Sequence, residues 1–94
     1  SASRPGAQRE LMDNYIKRLS ALEEIGRSFE GVEEAYVMQA GTEIRVMVNY
    51  GHVSEDDALV LSEDIARKIE NELTYPGEVR VTVIREARAT EIAR

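Results

Sequence analysis

The sequence predicts an α+β fold, a two-layer sandwich in which two helices cover one face of a three-stranded sheet. The stretches 43–50 and 78–85, EIRVMVNY and EVRVTVIR, alternate apolar and polar residues, as strands with one buried face do. Two longer stretches repeat apolar residues at spacings of three and four, which is typical of helices with one apolar face. The predicted order along the chain is therefore helix, strand, strand, helix, strand.

The first helix is expected to begin at about Pro5 or Gln8 and to end at Ser28, because Gly31 follows and stops it. The apolar residues that recur on one face of this helix are Leu11, Tyr15, Leu19, Leu22, Ile25 and Phe29. This periodic face predicts the side of the helix that packs on the sheet.

Two strands follow, joined by a tight hairpin turn. The first strand spans 32–39, and Gly41 accepts the positive φ that such turns demand. If Ala40 and Gly41 are the central residues of the turn, the cross-strand pairs are Val37 with Ile44 and Ala35 with Val46. The second strand places Ile44, Val46, Val48 and Tyr50 on the core face, and Arg45, Met47 and Asn49 on the other.

The second helix starts with Ser54 as its N-cap and Asp57 in the reciprocal capping position. It is expected to run to Tyr75, where Pro76 and Gly77 terminate it. Its apolar stripe consists of Ala58, Leu61, Ile65, Ile69 and Leu73. The third strand points Val79, Val81 and Val83 inward, and Arg80, Thr82 and Ile84 outward.

The connection through the second helix is expected to be a right-handed crossover, as in half of a ferredoxin-like fold. The third strand then lies parallel to the second strand, or else beside the first. The chain is predicted to be one domain, with a folded module over 9–88, a connection over 1–8 from a preceding domain, and a tail over 89–94 that extends the last strand or frays. The opening SASRPGAQ, without an initiator Met, indicates a piece of a longer protein.

Composition limits the classes of function. Twelve basic and eighteen acidic residues leave a net charge of −6, which works against loose binding to nucleic acid or to an anionic membrane. The chain has no cysteine, which fits a reducing compartment. No apolar run approaches the roughly 20 residues that span a bilayer, so no membrane contact is expected from this chain.

No residues with a recognisable catalytic arrangement are present. The single histidine, His52, precedes Glu55, Asp56 and Asp57, but helix capping and the helix dipole already explain these acids. The sequence has no Gly-rich phosphate loop and no nucleophile placed beside a base. We therefore assign no catalytic, cofactor-binding or metal-binding residue and do not expect this chain to be an enzyme by itself.

The outward face of the sheet is the strongest candidate for a functional surface. Four apolar side chains are expected there without a third layer to cover them: Tyr36, Met38, Met47 and Ile84. A clustered apolar patch usually marks an interface, here with a second copy of the chain or with a preceding domain. An alternative is RNA binding through the arginines on and after the third strand together with one on the second, which are Arg45, Arg80, Arg85 and Arg88.

Several segments resemble, in order and over nearly the whole chain, the C-terminal region of the ribonuclease Y family. These segments are RPGAQRE, NYIKRLSALEEI, FEGVEEAYVMQAGTEIRVMV, DIARKIENEL, YPGEVRVTVIRE and the closing RA-x-E. The resemblance implies a larger parent protein with an N-terminal membrane helix, a coiled coil, a KH domain and an HD-type hydrolase domain that precedes this module.

The resemblance also implies an activity for the parent protein, the endonucleolytic cleavage of single-stranded RNA that begins bacterial mRNA decay, with divalent metal held in the HD domain. Neither the GxxG loop of the KH domain nor the His-Asp pair of the HD domain occurs in this sequence. The resemblance thus implies a noncatalytic accessory domain in the cytoplasm, attached to a membrane-anchored parent. Ligand sensing by a ferredoxin-like pair would rest on analogy of fold alone.

Overall fold

A computed structural model describes residues 5–74, 77–87 and 89–94 of the chain, without the side chains of residues 5–11. Its elements occur in the predicted order helix, strand, strand, helix, strand. They are α1 (Pro5–Arg27), β1 (Val32–Met38), β2 (Glu43–Asn49), α2 (Glu55–Glu72) and β3 (Arg80–Glu86). The α+β class predicted from the sequence is confirmed.

The three strands form one mixed sheet in the order β1-β2-β3. β1 pairs with β2 in the antiparallel direction, with Val37 opposite Ile44 and Ala35 opposite Val46, as predicted. β3 lies parallel to β2, with Val83 opposite Val46, so the alternative that placed the third strand beside the first is excluded. β2 is therefore central, and β1 and β3 form the two edges.

The hydrophobic core lies between the helices and one face of the sheet. Ile44, Val46 and Val48 of β2 have no exposed surface, and α1 and α2 contribute Leu22 and Ile65, which are equally buried. The rest of the core consists of Ile25, Ala35, Val53, Ala58, Leu61 and Ile69. Both helices pack on this face, which leaves the opposite face of the sheet outside the core.

The hairpin turn has the positive backbone angles expected of a two-residue loop. Ala40 has φ 56° and Gly41 has φ 88°, and the N–H of Thr42 donates a hydrogen bond to the carbonyl of Gln39 over 3.2 Å. Gln39 also has a positive φ of 50°, which the sequence did not predict, and β1 accordingly ends at Met38. The predicted register survives because the central residues of the turn are the predicted ones.

The start of α2 follows the predicted cap. The N–H of Asp57 donates a hydrogen bond of 3.0 Å to the Ser54 Oγ. The predicted end of this helix was too late, because the helix stops at Glu72 and Leu73 is already extended. A proline disfavours helical backbone angles in the residue that precedes it, so a helix commonly ends ahead of a proline. Tyr75 and Pro76 themselves lie outside the described residues.

Two predictions about buried apolar residues were wrong. Tyr50 follows the end of β2 and is exposed, because the chain turns there and the alternation of the strand no longer applies. The predicted apolar face of α1 is buried only in its second half, from Leu22 onward, whereas Tyr15 is exposed. The side chain of Leu11 lies outside the described residues.

Gly26 sets how closely α1 approaches the sheet. A Cβ atom built on Gly26 would lie 2.7 Å from Ile44 Cδ1 and 3.1 Å from Ala35 Cβ, distances that are shorter than ordinary carbon contacts. Both neighbours are buried, so Ile44 Cδ1 would have to shift within the core to make room for a Cβ atom. A residue without a side chain is therefore favoured at this point of the helix.

We predict that Gly26→Ala destabilises the chain by about 1–3 kcal/mol, because overpacking outweighs the gain in helix propensity. Urea denaturation followed by circular dichroism measures this difference. Gly77→Ala is the matched control, since a Cβ atom at that position would have no heavy atom within 4 Å, and it should leave stability nearly unchanged. Equal stabilities for the two variants would contradict the close approach of α1.

Candidate functional site

The four residues predicted to form an interface all lie on the face of the sheet opposite to the helices. We call this surface the open face. Tyr36 and Met38 on β1 are 51% and 37% exposed. Met47 and Ile84 are half-buried and lie opposite each other on β2 and β3. The structure thus places the four predicted residues on one surface, and no described helix covers it.

A polar cluster, not predicted from the sequence, closes one end of the open face around Glu43. This carboxylate is buried and accepts hydrogen bonds from Arg45 Nε (3.3 Å), Thr82 Oγ1 (3.1 Å) and Gln39 Nε2 (3.3 Å). The partners come from the hairpin, β2 and β3. The cluster therefore ties the hairpin to the third strand.

The electrostatics of this cluster favour the ionised form of Glu43. Burial alone raises the pKa of the carboxyl, but hydrogen bonds from Arg45 and Thr82 and the charges of Arg45 and Arg80 outweigh burial. The net effect lowers the pKa below the ordinary value of 4.5. Glu43 is thus a charged structural residue at neutral pH.

The arginines proposed for RNA binding lie in two separate places. Arg45 is on the open face beside Tyr36, and Arg80 is exposed at the start of β3. Arg85 is on the helix side of the sheet, because it lies opposite the buried Val48. Arg88 lies outside the described residues.

Arg85 holds the connection between β2 and α2. Its Nε donates a hydrogen bond of 2.7 Å to the Val53 carbonyl, and its Nη2 donates one of 3.4 Å to the Tyr50 carbonyl. Its guanidinium group lies 4.4 Å from the centre of the Tyr50 ring, within the range of a cation–π contact. These contacts give Arg85 a structural role.

A second exposed apolar surface lies on the first half of α1. Met12 and Ile16 are more than half exposed, and Tyr15 is exposed between them. Their spacing of three and four residues places them on one side of the helix. The sequence indicated that this half of α1 is amphipathic. It did not indicate that the apolar side chains of this half would remain exposed instead of packing on the sheet.

The described residues contain no group of three or more His, Asp or Glu side chains arranged to hold a metal ion. His52 lines a shallow pocket with Asp57 and Asp64, beside the start of α2. Neither described helix combines the length and apolar character that a membrane crossing requires.

Fold and surface together define a small α+β module with one sheet face that no described helix covers. Its whole length is 57% identical to "Ribonuclease Y" of Treponema denticola, 55% to that of Syntrophobacter fumaroxidans and 54% to that of Fusobacterium nucleatum. The chain is homologous to the C-terminal region of ribonuclease Y. It spans 18% of the length of these relatives and corresponds to their C-terminal part. No protein-family profile and no solved structure matches the chain.

We predict that Glu43→Gln destabilises the chain at pH 7 and that its difference from the wild type shrinks as the pH falls below 4.5. A carboxyl with a lowered pKa in the folded state contributes stability above its unfolded pKa, and loses that contribution as the pH falls through the folded value. Urea denaturation at several pH values measures this difference. The exposed Glu63→Gln serves as the control, and a difference for Glu43→Gln that is independent of pH would contradict this assignment.

Proposed function

We propose that this chain is a noncatalytic accessory domain of an endoribonuclease, and that its own role is assembly. Homology to the C-terminal region of proteins named ribonuclease Y supports the first part. The parent protein would cleave RNA at a divalent metal site in a preceding HD domain. It would be anchored to the membrane through its N-terminal helix, with this domain in the cytoplasm.

The observation that carries the assembly role is the apolar part of the open face. Tyr36 and Met38 are exposed on this face, opposite Arg45 and Glu43. The half-buried Met47 and Ile84 lie opposite each other on the same face, and the described helices lie on the other side of the sheet. Removing such a surface from water contributes about 25 cal/mol per Å² of apolar area. A second subunit or the preceding HD domain is the partner that this surface would accept.

The exposed apolar side of α1 supports the same role. Met12 and Ile16 lie on the helix half that approaches the preceding part of the protein in sequence. Docking through these two surfaces would fix the module relative to its partner. The mechanism is then geometric, because the position of this domain sets how RNA reaches the metal site.

We predict that Met47→Glu weakens association while preserving the fold, because a half-exposed apolar residue becomes charged at the interface. Sedimentation across a concentration series measures self-association, and titration with the preceding segment of the same protein measures docking. The matched control is Val60→Glu, which changes an exposed apolar residue on α2 instead. Val46→Glu should unfold the chain, since Val46 is fully buried.

The assembly role would be contradicted if Met47→Glu changed neither self-association nor docking. Circular dichroism of the variant separates a loss of association from a loss of fold. A weaker association with an unchanged spectrum is the expected result.

A second candidate function is auxiliary binding of single-stranded RNA. The observation in its favour is that Arg45 on β2 lies opposite Tyr36, an aromatic ring on which a base could stack. Arg80 lies on the neighbouring strand β3, opposite Glu43. The net charge of −6 opposes this function.

Salt dependence distinguishes the two functions. If RNA binds, its affinity should fall steeply between 50 and 200 mM salt, because phosphate contacts release counterions, and the double variant Arg45→Ala, Arg80→Ala should reduce the slope by about two. Fluorescence anisotropy with a labelled single strand measures both quantities. An undetectable affinity at 50 mM salt would contradict RNA binding by this chain.

A further inference from the structure

β3 is an edge strand whose outer backbone groups have a defined direction. The N–H of Arg80 donates to the Thr42 carbonyl, and the Glu86 carbonyl accepts from the N–H of Tyr50, so these two residues face β2. Backbone groups alternate in direction along a strand. Val81, Val83 and Arg85 therefore direct their N–H and carbonyl groups away from β2. Among the described residues, no strand pairs with this edge.

We propose that the outer edge of β3 pairs with β3 of a second copy of this chain, antiparallel and centred on Val83. Both copies then present outward groups at Val83, which form a hydrogen-bonded pair across the two-fold axis. Val81 lies opposite the partner's Arg85, also as a hydrogen-bonded pair. The three-stranded sheet becomes a continuous six-stranded one.

The charges of β3 match this register. Seven residues, RVTVIRE, begin with Arg80 and end with Glu86. Centring the pair on Val83 places Arg80 opposite the partner's Glu86, and symmetry repeats this contact at the other end. Opposite charges in directly facing cross-strand positions stabilise a sheet. Both contacts form on the side of the open face, where the even-numbered residues of β3 lie.

Other two-fold registers fit less well. Centring on Arg85 places this residue against its own copy, and like charges in that position repel. Centring on Thr82 or Ile84 leaves one end of the strand unpaired and separates Arg80 from the partner's Glu86. Only the register through Val83 uses all seven residues and satisfies both charges.

The helix side of this edge is an open groove between α2 and β3. Four of its lining residues are apolar, Ala58, Leu59, Val81 and Val83, and the others are Glu55, Asp56, Ser62, Arg80, Thr82 and Arg85. Leu59 is 61% exposed, and both valines are only half-buried. Strand pairing would bring the same groove of the second copy against this one, so that the apolar surface of Leu59, Val81 and Val83 on both sides leaves water.

This pairing rests on the proposed assembly role but uses a different surface. The open face consists of side chains that point away from the sheet, whereas the edge offers backbone groups in its plane. Pairing at the edge would join two open faces into one larger surface. The two surfaces can therefore be tested by different substitutions in the same 94-residue chain.

A charge-exchange cycle tests the edge, with the mass of the chain measured by sedimentation across a concentration series. The wild type should form a dimer, and Arg80→Glu or Glu86→Arg should each raise its dissociation constant about tenfold or more, because two attractive contacts become repulsive. The double variant Arg80→Glu, Glu86→Arg should restore association. The control is Arg67→Glu, which makes the same change of charge at an exposed residue of α2 that does not line the groove beside β3. It should have no effect on association.

Crosslinking tests the register. The chain has no cysteine, so introduced thiols are the only ones present. Thr82 would face the partner's Ile84 in a non-hydrogen-bonded pair, with Cα atoms about 4.5 Å apart, which a disulfide can bridge. A mixture of Thr82→Cys and Ile84→Cys chains should form a covalent dimer on oxidation much faster than either variant alone.

The possible outcomes separate this proposal from the assembly role. A monomeric wild type at every concentration, or a double variant that fails to recover, would overturn edge pairing. If Met47→Glu reduces association while the charge variants do not, the open face is the interface and edge pairing is wrong. If the charge cycle recovers and Met47→Glu changes neither association nor docking, edge pairing stands and the role of the open face fails.

Discussion

The structure depends on the burial of one side of β2. Ile44, Val46 and Val48 lose all contact with water, and each fully buried side chain of this kind contributes about 1.5–3 kcal/mol. Among the described strands, β2 alone pairs on both edges, antiparallel with β1 and parallel with β3. Both helices pack on these side chains, and the close approach at Gly26 is possible because no side chain intervenes. Placing the core on one side of β2 also determines which residues remain on the open face.

Alternating and helical periodicities were sufficient to predict most of this fold. The register of the hairpin followed from the turn at Ala40 and Gly41, because loop length fixes which residues face each other. The position of β3 was not determined, since a crossover can reach either edge of a hairpin. Periodicity also failed at Tyr15 and Tyr50, because it identifies an apolar face but not where its covering layer ends. α2 ends at Glu72, so Leu73, the last residue of the predicted apolar stripe, is extended instead of helical.

The candidate surface was also predicted only in part from the sequence. Strand alternation predicted that Tyr36, Met38, Met47 and Ile84 share one face, and the structure places them there. It did not predict the cluster at Glu43, because the hydrogen bond to Thr82 joins residues distant in sequence. Arg85 presents the same difficulty, since its partners are carbonyl groups, which every residue has. A side-chain contact with the backbone of a distant segment leaves no pattern in the residue types, unlike the local cap at Ser54.

The unequal burial of α1 has a mechanical consequence. The second half of this helix is fixed to the sheet, from Leu22 onward, while the first half extends past it. About 25 Å of helix separate Leu22 from Pro5 at 1.5 Å per residue. A tilt of about 10° at the fixed end therefore displaces the other end by about 4 Å. The helix acts as a lever arm, which converts a small change in packing against the sheet into a large change in the direction of the chain at Pro5.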